Sequence, residues 1–280
     1  MMKSNETVPF NVIPLLYEID KKFMELLIAL TPEEWQKQTV AKQWQVKDVV
    51  AHLLDGNIRI LSMLRDGYSG EKPNIQSYQD LVDYLNTLNA DWVKSMKRVS
   101  PEMLILLHQA TGKLYCDYYA SLNPFDTAPF SVAWAGESES KNWMHIARDY
   151  TEKFLHQQQI RDAVGKPGIM TQEFFYPFID IFMLALPYTY RDTIAENGTM
   201  IKLTVMSDIG GSWFLMRENT SWILSKENNR TATAEISIDP NDAWVLFSKS
   251  IRPEHIRHKI NITGNEKLGE IALTMVSVMA

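Results

Sequence analysis

Three side chains in this sequence are of a type and spacing that could share one cation. Glu152 and His156 lie four residues apart, so on a helix they stand one turn apart on a single face. His145, Asp149 and Gln159 fall on the same stripe, while Ile146, Tyr150, Phe154 and Val164 fall on the other side. The stripe is mostly polar and reads equally as a solvated helix face. Far upstream, His52 sits beyond Val49 at the edge of an apolar stripe, toward Asp48, Asp55 and Arg59, where a surface histidine is the plain alternative. If the two helices are neighbours, His52, Glu152 and His156 make a two-histidine, one-carboxylate set with open coordination positions, which suits zinc or another first-row ion in a catalytic role. Each histidine then needs an acceptor for its other ring nitrogen, and Asp48, Asp55 and Asp149 are nearby in sequence.

Other chemistries find less support. The one cysteine, Cys116, excludes an intrachain disulfide framework and fits a reducing compartment; with only Lys113 as a basic neighbour one turn away, it reads as a small buried hydrophobe. There is no G-x-S-x-G elbow and no glycine-rich phosphate loop. His255 and His258 flank Arg257 in a short basic segment that reads as solvated, and Trp35, Trp44, Trp92 and Trp134 read as core or as the wall of a groove. The net charge of −6 is spread without a basic run, which argues against nucleic acid as a partner. Met1 to Phe10 lacks the features of a signal peptide, and no apolar run reaches the length of a membrane span. The expectation is a cytoplasmic protein without a membrane partner.

These residues need elements to position them, and 280 residues with 45% hydrophobic content can build two domains. Spacings of three and four predict helices over Val12–Leu30, Gln45–Asp66, Tyr78–Ser121 with an interruption at Ser100 and Pro101, Ser138–Val164, and Thr171–Pro187. Thr31, Pro32 and Glu34 signal a short capped turn around Trp35. After about Ala195 the period becomes two, with Ile201, Leu203 and Val205 leading a series of short strands in meander-like order. Helices are expected from Asp239 to Phe247 and from Asn265 to Met279, packed on an antiparallel sheet.

Two segments carry a resemblance. Trp44-Gln-Val-Lys-Asp-Val-Val-Ala-His52 and Glu152-Lys-Phe-Leu-His156 resemble the motifs W-x-V-x-D-V-x-A-H and E-x-x-x-H of the mycothiol-dependent maleylpyruvate isomerase group of DinB-like bundles. The tail around Asp239–Phe247 and Ile262–Leu268 resembles the group's C-terminal domain, which is similar to sterol carrier proteins. The resemblance implies a DinB-like four-helix bundle over 1–195 and a small α+β domain over 196–280. It also implies zinc on His52, Glu152 and His156, with His145 as runner-up. A low-molecular-weight thiol, mycothiol-like or bacillithiol-like, would bind beside the metal and attack a small electrophile, making the protein a thiol-dependent isomerase or transferase. The alternative is a metal or small-ligand binding protein without turnover. No arginine is matched to the group's carboxylate-holding role; Arg59, Arg148 and Arg161 are available. The sequence leaves the oligomeric state open.

Overall fold

The computed structural model describes residues 7–68, 70, 73–228 and 230–278. They form two compact units that interleave along the chain, one made of 11–126 with 152–169, the other of the described residues in 1–10, 127–151 and 170–280.

The first unit is helical. α1 (Ile13–Ile28) buries Leu16, Ile19, Phe23, Leu26 and Leu27 along one stripe. The predicted cap follows: Thr31 N donates to Glu34 Oε2 at 2.8 Å, Glu34 N donates to Thr31 Oγ1 at 3.3 Å, and the turn seats Trp35 in the core. α2 (Val46–Arg59) opens with Gln45 N donating to Asp48 Oδ2 at 3.1 Å. The helix predicted to run to Asp66 changes winding instead: Ile60–Arg65 is wound more widely, with i→i+5 bonds, before Gly67 at φ 71° turns the chain away. α3 (Tyr78–Met96) and α4 (Pro101–Ala120) are separate helices, divided where Ser100 Oγ accepts from Met103 N at 3.2 Å. α1 packs on α4, and α2 packs on both α3 and α4.

The second half of α5 (Asn142–Val164) completes this unit, with Ile160 and Val164 joining Phe23, Leu27, Val50, Leu54 and Leu104 in one apolar cluster. Arg161 Nη2 donates to Lys22 O at 3.0 Å, and Lys153 Nζ donates to Asn57 Oδ1, tying α5 to α1 and α2. α5 begins later than the predicted Ser138 because Ser140 is committed elsewhere: its carbonyl accepts from Ala128 N and its hydroxyl from Val132 N, each at 2.8 Å. The polar helix face expected to be solvated is largely buried, since His145, Asp149, Lys153, Gln157, Gln158, Gln159 and Arg161 are all at most 9% exposed.

In the other unit, α6 (Gln172–Phe182) and α7 (Leu186–Thr189) precede a five-stranded sheet. The strands are β1 (Met200–Val205), β2 (Gly211–Glu218), β3 (Ser221–Ser225), β4 (Ala234–Ile238) and β5 (Asn261–Gly264), in the order β3-β2-β1-β4-β5. The expected antiparallel sheet is corrected here. β1, β2 and β3 form an antiparallel meander, but β4 pairs parallel to β1, with Ile201 opposite Ala234 and Val205 opposite Ile238. Both edges of the meander's middle strand are taken, so the chain leaves β3 and crosses to the free side of β1, entering in β1's own direction. α8 (Pro240–Phe247), capped by Asp239 as expected, α9 (Pro253–Ile256) and α10 (Glu266–Ala272) complete the unit. α10 is shorter than the predicted Asn265–Met279 helix.

Candidate functional site

The helical unit brings two of the three singled-out side chains face to edge and sets the third beside them. From α2 and α5, the His52 and His156 rings meet in a T-shaped arrangement with centroids 4.7 Å apart. Glu152, one turn before His156, places Oε2 at 3.3 Å from His156 Nε2. The Thr39–Gln45 turn adds a third ring. Trp44 lies 4.8 Å from His52 and 6.4 Å from His156, its carbonyl anchored by Thr39 Oγ1 and Gln38 Nε2, both at 2.8 Å. Trp44 therefore lies against the imidazole pair, at the edge of the apolar core on which it packs.

The donor chemistry suits a divalent cation. Gln159 Oε1 lies 2.9 Å from His156 Nδ1, which orients the ring with Nε2 directed at a carboxylate oxygen of Glu152. A proton on Nε2 or a cation between the two groups would hold this 3.3 Å pair together. Burial, reinforced by the charges of His156, Arg59 and Lys153, pushes the His52 pKa well below the usual histidine range, so this ring is neutral and able to ligate. Its Nδ1 is buried without a hydrogen-bond partner. Glu152 keeps 35% of its side chain exposed. Among the described residues, no group of three or more His, Cys, Asp or Glu side chains is drawn together to metal-holding distance.

The acceptors suggested by sequence proximity do other work. Asp48 caps α2 and pairs with Lys97 at 2.6 Å; Asp55 pairs with Arg59 at 3.1 Å; Asp149 pairs with Arg148 at 2.8 Å. Gln159 takes the role instead. It was visible on the same helical stripe, and its i, i+3 spacing from His156 was the available signal. Of the three arginines, Arg161 is spent on the carbonyls of Lys22, Lys166 and Pro167. His145 lies two helical turns before Glu152 and beside Phe130, and burial with the nearby Arg148 lowers its pKa to about 4. Cys116 is buried, and desolvation pushes its thiol to about 12, as befits an inert core residue. His255 and His258 are exposed, while Arg257 pairs with Glu266 and Glu270.

Behind the imidazoles, Lys153 was not anticipated. It is nearly buried, its Nζ lies 4.4 Å from the Tyr115 ring centroid, and it donates to Asn57. No sequence signal separated it from a snorkelling surface lysine.

Comparison with known proteins bears on this arrangement. The family model described as the mycothiol maleylpyruvate isomerase N-terminal domain matches residues 16–161, a span that contains His52, Glu152 and His156. The crystal structure of a point mutant of the mycothiol-dependent maleylpyruvate isomerase is similar in fold, with a TM-score of 0.55 at 8% identity, covering 94% of this chain and 96% of that one. The crystal structure of the mycothiol-dependent maleylpyruvate isomerase itself gives a TM-score of 0.53 at 10% identity, covering 90% and 93%. None of the curated proteins searched matches the sequence. No helix among the described residues is long and apolar enough to cross a membrane.

Proposed function

The chain belongs to the mycothiol maleylpyruvate isomerase N-terminal domain family, and from that premise we propose that it is a thiol-dependent isomerase or S-transferase whose helical unit holds a divalent metal, zinc by donor type, on His52, Glu152 and His156. The observation that carries the reading is the convergence of His156 Nε2 and Glu152 Oε2, 3.3 Å apart, beside the His52 ring with its buried, unpartnered nitrogen. A cation bound there would join these groups, and a buried polar atom without a partner is costly.

The bound ion would lower the pKa of a coordinated low-molecular-weight thiol and present it as a thiolate. The chain's own residues supply the rest. Gln159, 2.9 Å from His156 Nδ1, would hold the ligating ring in orientation with Nε2 toward the metal. Trp44 covers both imidazoles and limits water. Glu152, the most exposed of the three, stands where solvent and substrate enter. A thiolate held here would add to an electrophilic double bond, allow rotation about the resulting single bond, and leave again, which returns the thiol unchanged and isomerises the substrate.

The test is elemental analysis of protein purified without chelator, with His52→Ala, Glu152→Ala and His156→Ala beside it. One zinc per chain in the wild type, reduced in each variant, is expected; wild-type stoichiometry retained in His156→Ala would sink the ligand set. Metal-dependent isomerisation of maleylpyruvate with a panel of small thiols then separates an enzyme from a binder. Bound metal without thiol-dependent turnover would favour the binder.

A further inference from the structure

Two side-chain contacts join α2 to α5 near the candidate ligands. His52 meets His156, and Asn57, further along α2, meets Lys153, which precedes His156 on α5. Residue numbers rise on one helix as they fall on the other, so the two helices pass the imidazole pair antiparallel. On the far side of that pair, Ile160 and Val164 of α5 join the apolar cluster to which Val46, Val49 and Val50 of α2 belong. The ligands therefore sit between two points of attachment, one aliphatic and one polar.

The two attachments do different things. Aliphatic burial is non-directional and tolerates sliding, whereas a hydrogen bond weakens steeply when donor and acceptor fall out of line. The polar attachment is a directed chain. Lys153 Nζ donates to Asn57 Oδ1, Asn57 Nδ2 donates to Thr111 Oγ1 at 3.0 Å, and Thr111 Oγ1 donates to Leu107 O at 2.8 Å. It crosses from α5 through α2 to α4. An ammonium only donates, which turns the Asn57 carbonyl toward Lys153 and its amide nitrogen toward the threonine. Asn57 is fully buried, and Lys153 is 9% exposed with Nζ 4.4 Å from the centroid of the Tyr115 ring on α4. A buried ammonium carries a desolvation cost that a hydrophobic side chain of similar volume does not. Such a group is a poor device for stability and a good one for selecting a single register.

We infer that Lys153 is a positioning residue for the proposed metal centre: through Asn57 it sets where α5 stands against α2, and so where Glu152 and His156 stand relative to His52. The inference rests on the metal reading above. Lys153 directly follows Glu152 and lies less than one turn before His156, so a displacement of its backbone moves both. A slip of one residue along a helix is about 1.5 Å, while a ligand set must hold its geometry to about 0.5 Å.

The experiment uses full-length protein, zinc affinity from chelator competition, and the visible spectrum of the cobalt-loaded form, with thermal midpoints recorded beside them. The variants are Lys153→Met, Asn57→Leu, the two combined, and Asn57→Asp, which keeps an acceptor for Lys153. Each of the first two is expected to lower zinc affinity about tenfold and to alter the cobalt spectrum. The double variant should be no worse than the weaker single one, and Asn57→Asp should stay close to wild type. Lower midpoints with zinc affinity and cobalt spectrum unchanged would assign Lys153 to stability alone and overturn the positioning role. Fully additive losses in the double variant would overturn it too, since the two residues would then act separately. A wild type that binds neither metal sinks the metal reading and the positioning role with it, a result distinct from a wild-type centre that the variants leave intact. Should Lys153→Met not fold, Thr111→Val removes only the last link of the chain at a partly exposed position. A changed cobalt spectrum in that variant upholds the inference, and an unchanged one overturns it.

Discussion

Replacing Gln159 by Leu isolates the cheapest element of the proposed centre to test, because Gln159 touches His156 but offers no ligand itself. In the wild type, Gln159 Oε1 accepts from His156 Nδ1 at 2.9 Å. That contact orients the ring and favours the Nδ1–H tautomer of a metal-bound imidazole, which leaves Nε2, the nitrogen that faces Glu152, for the cation. Gln159 is 5% exposed, so water does not readily replace the lost acceptor. A hydrogen bond of this kind is worth about 1 kcal/mol, and the leucine leaves the Nδ1–H unsatisfied, which adds roughly 1 kcal/mol or more. Losing an orienting partner of a ligating histidine typically lowers metal affinity about 10- to 100-fold, and about 2 kcal/mol corresponds to roughly 30-fold. The assay is competition for zinc against a chromophoric chelator, run beside Gln159→Glu, which keeps an acceptor and should hold affinity at or above the wild-type level. Fold integrity is checked by circular dichroism. A Gln159→Leu protein with zinc affinity within twofold of wild type would refute the tautomer argument, and equal losses in both variants would point to packing instead.

Three further outcomes follow from the same geometry. Burial holds His108 at a pKa of about 3, with Nε2 3.0 Å from Val50 O. Its folded pKa lies below the unfolded value of about 6.5, so stability falls as pH drops through 6.5 and keeps falling toward 3. His108→Phe should therefore remove about 2 kcal/mol of the stability lost between pH 7 and pH 5; urea unfolding at the two pH values reads this, and an unchanged difference counts against it. A Cβ at Gly112 would meet Asp20 Oδ2 at 2.4 Å, so Gly112→Ala should destabilise by about 1–3 kcal/mol, and a midpoint equal to wild type would show that Asp20 moves freely. In the other unit, Asp180 accepts from Trp213 Nε1 at 2.8 Å and from Lys226 Nζ. Asp180→Ala should cost about 1–3 kcal/mol by stranding the buried Trp213 Nε1, since Lys226 is half exposed and keeps Tyr176, whereas a loss below 1 kcal/mol would mean that water replaces the carboxylate.

Legibility in the sequence followed the physics of each element. The stripe of Leu16, Ile19, Phe23 and Leu26 on α1, the Thr31–Glu34 cap and the break at Ser100 and Pro101 are local, and each appears where the spacing predicts it. Strand pairing is not local. The alternation at Ile201, Leu203 and Val205 marks a strand equally well whether its next partner arrives by hairpin or by crossover, so the parallel β1–β4 pair was invisible. The wide winding at Ile60–Arg65 likewise leaves the apolar positions Leu61 and Leu64 on a helical spacing, and only the backbone distinguishes it.

The candidate site shows why helical periodicity has a limit. Polar residues run along most of α5, a pattern that periodicity alone leaves open between a solvated face and a site. Here they are buried because they satisfy one another and the backbone: Gln159 holds His156, Lys153 holds Asn57, and Arg161 spans three carbonyls. A buried polar group is stabilising only when partnered. Among the buried atoms on α2 and α5 that remain outside this network, which also include Asp55 Oδ2, Gln158 Oε1 and Arg161 Nε, His52 Nδ1 and the amide of Gln157 are informative in different degrees. Gln157 is enclosed by helix packing, and its unsatisfied amide calls for internal water. His52 has a second imidazole at 4.7 Å, an indole at 4.8 Å and, next to that imidazole, an accessible carboxylate. That surrounding, on a residue that keeps some exposure, supports the proposed ligand role of His52 over the fully buried His108, whose neighbours are the Phe23 ring and a helix carbonyl.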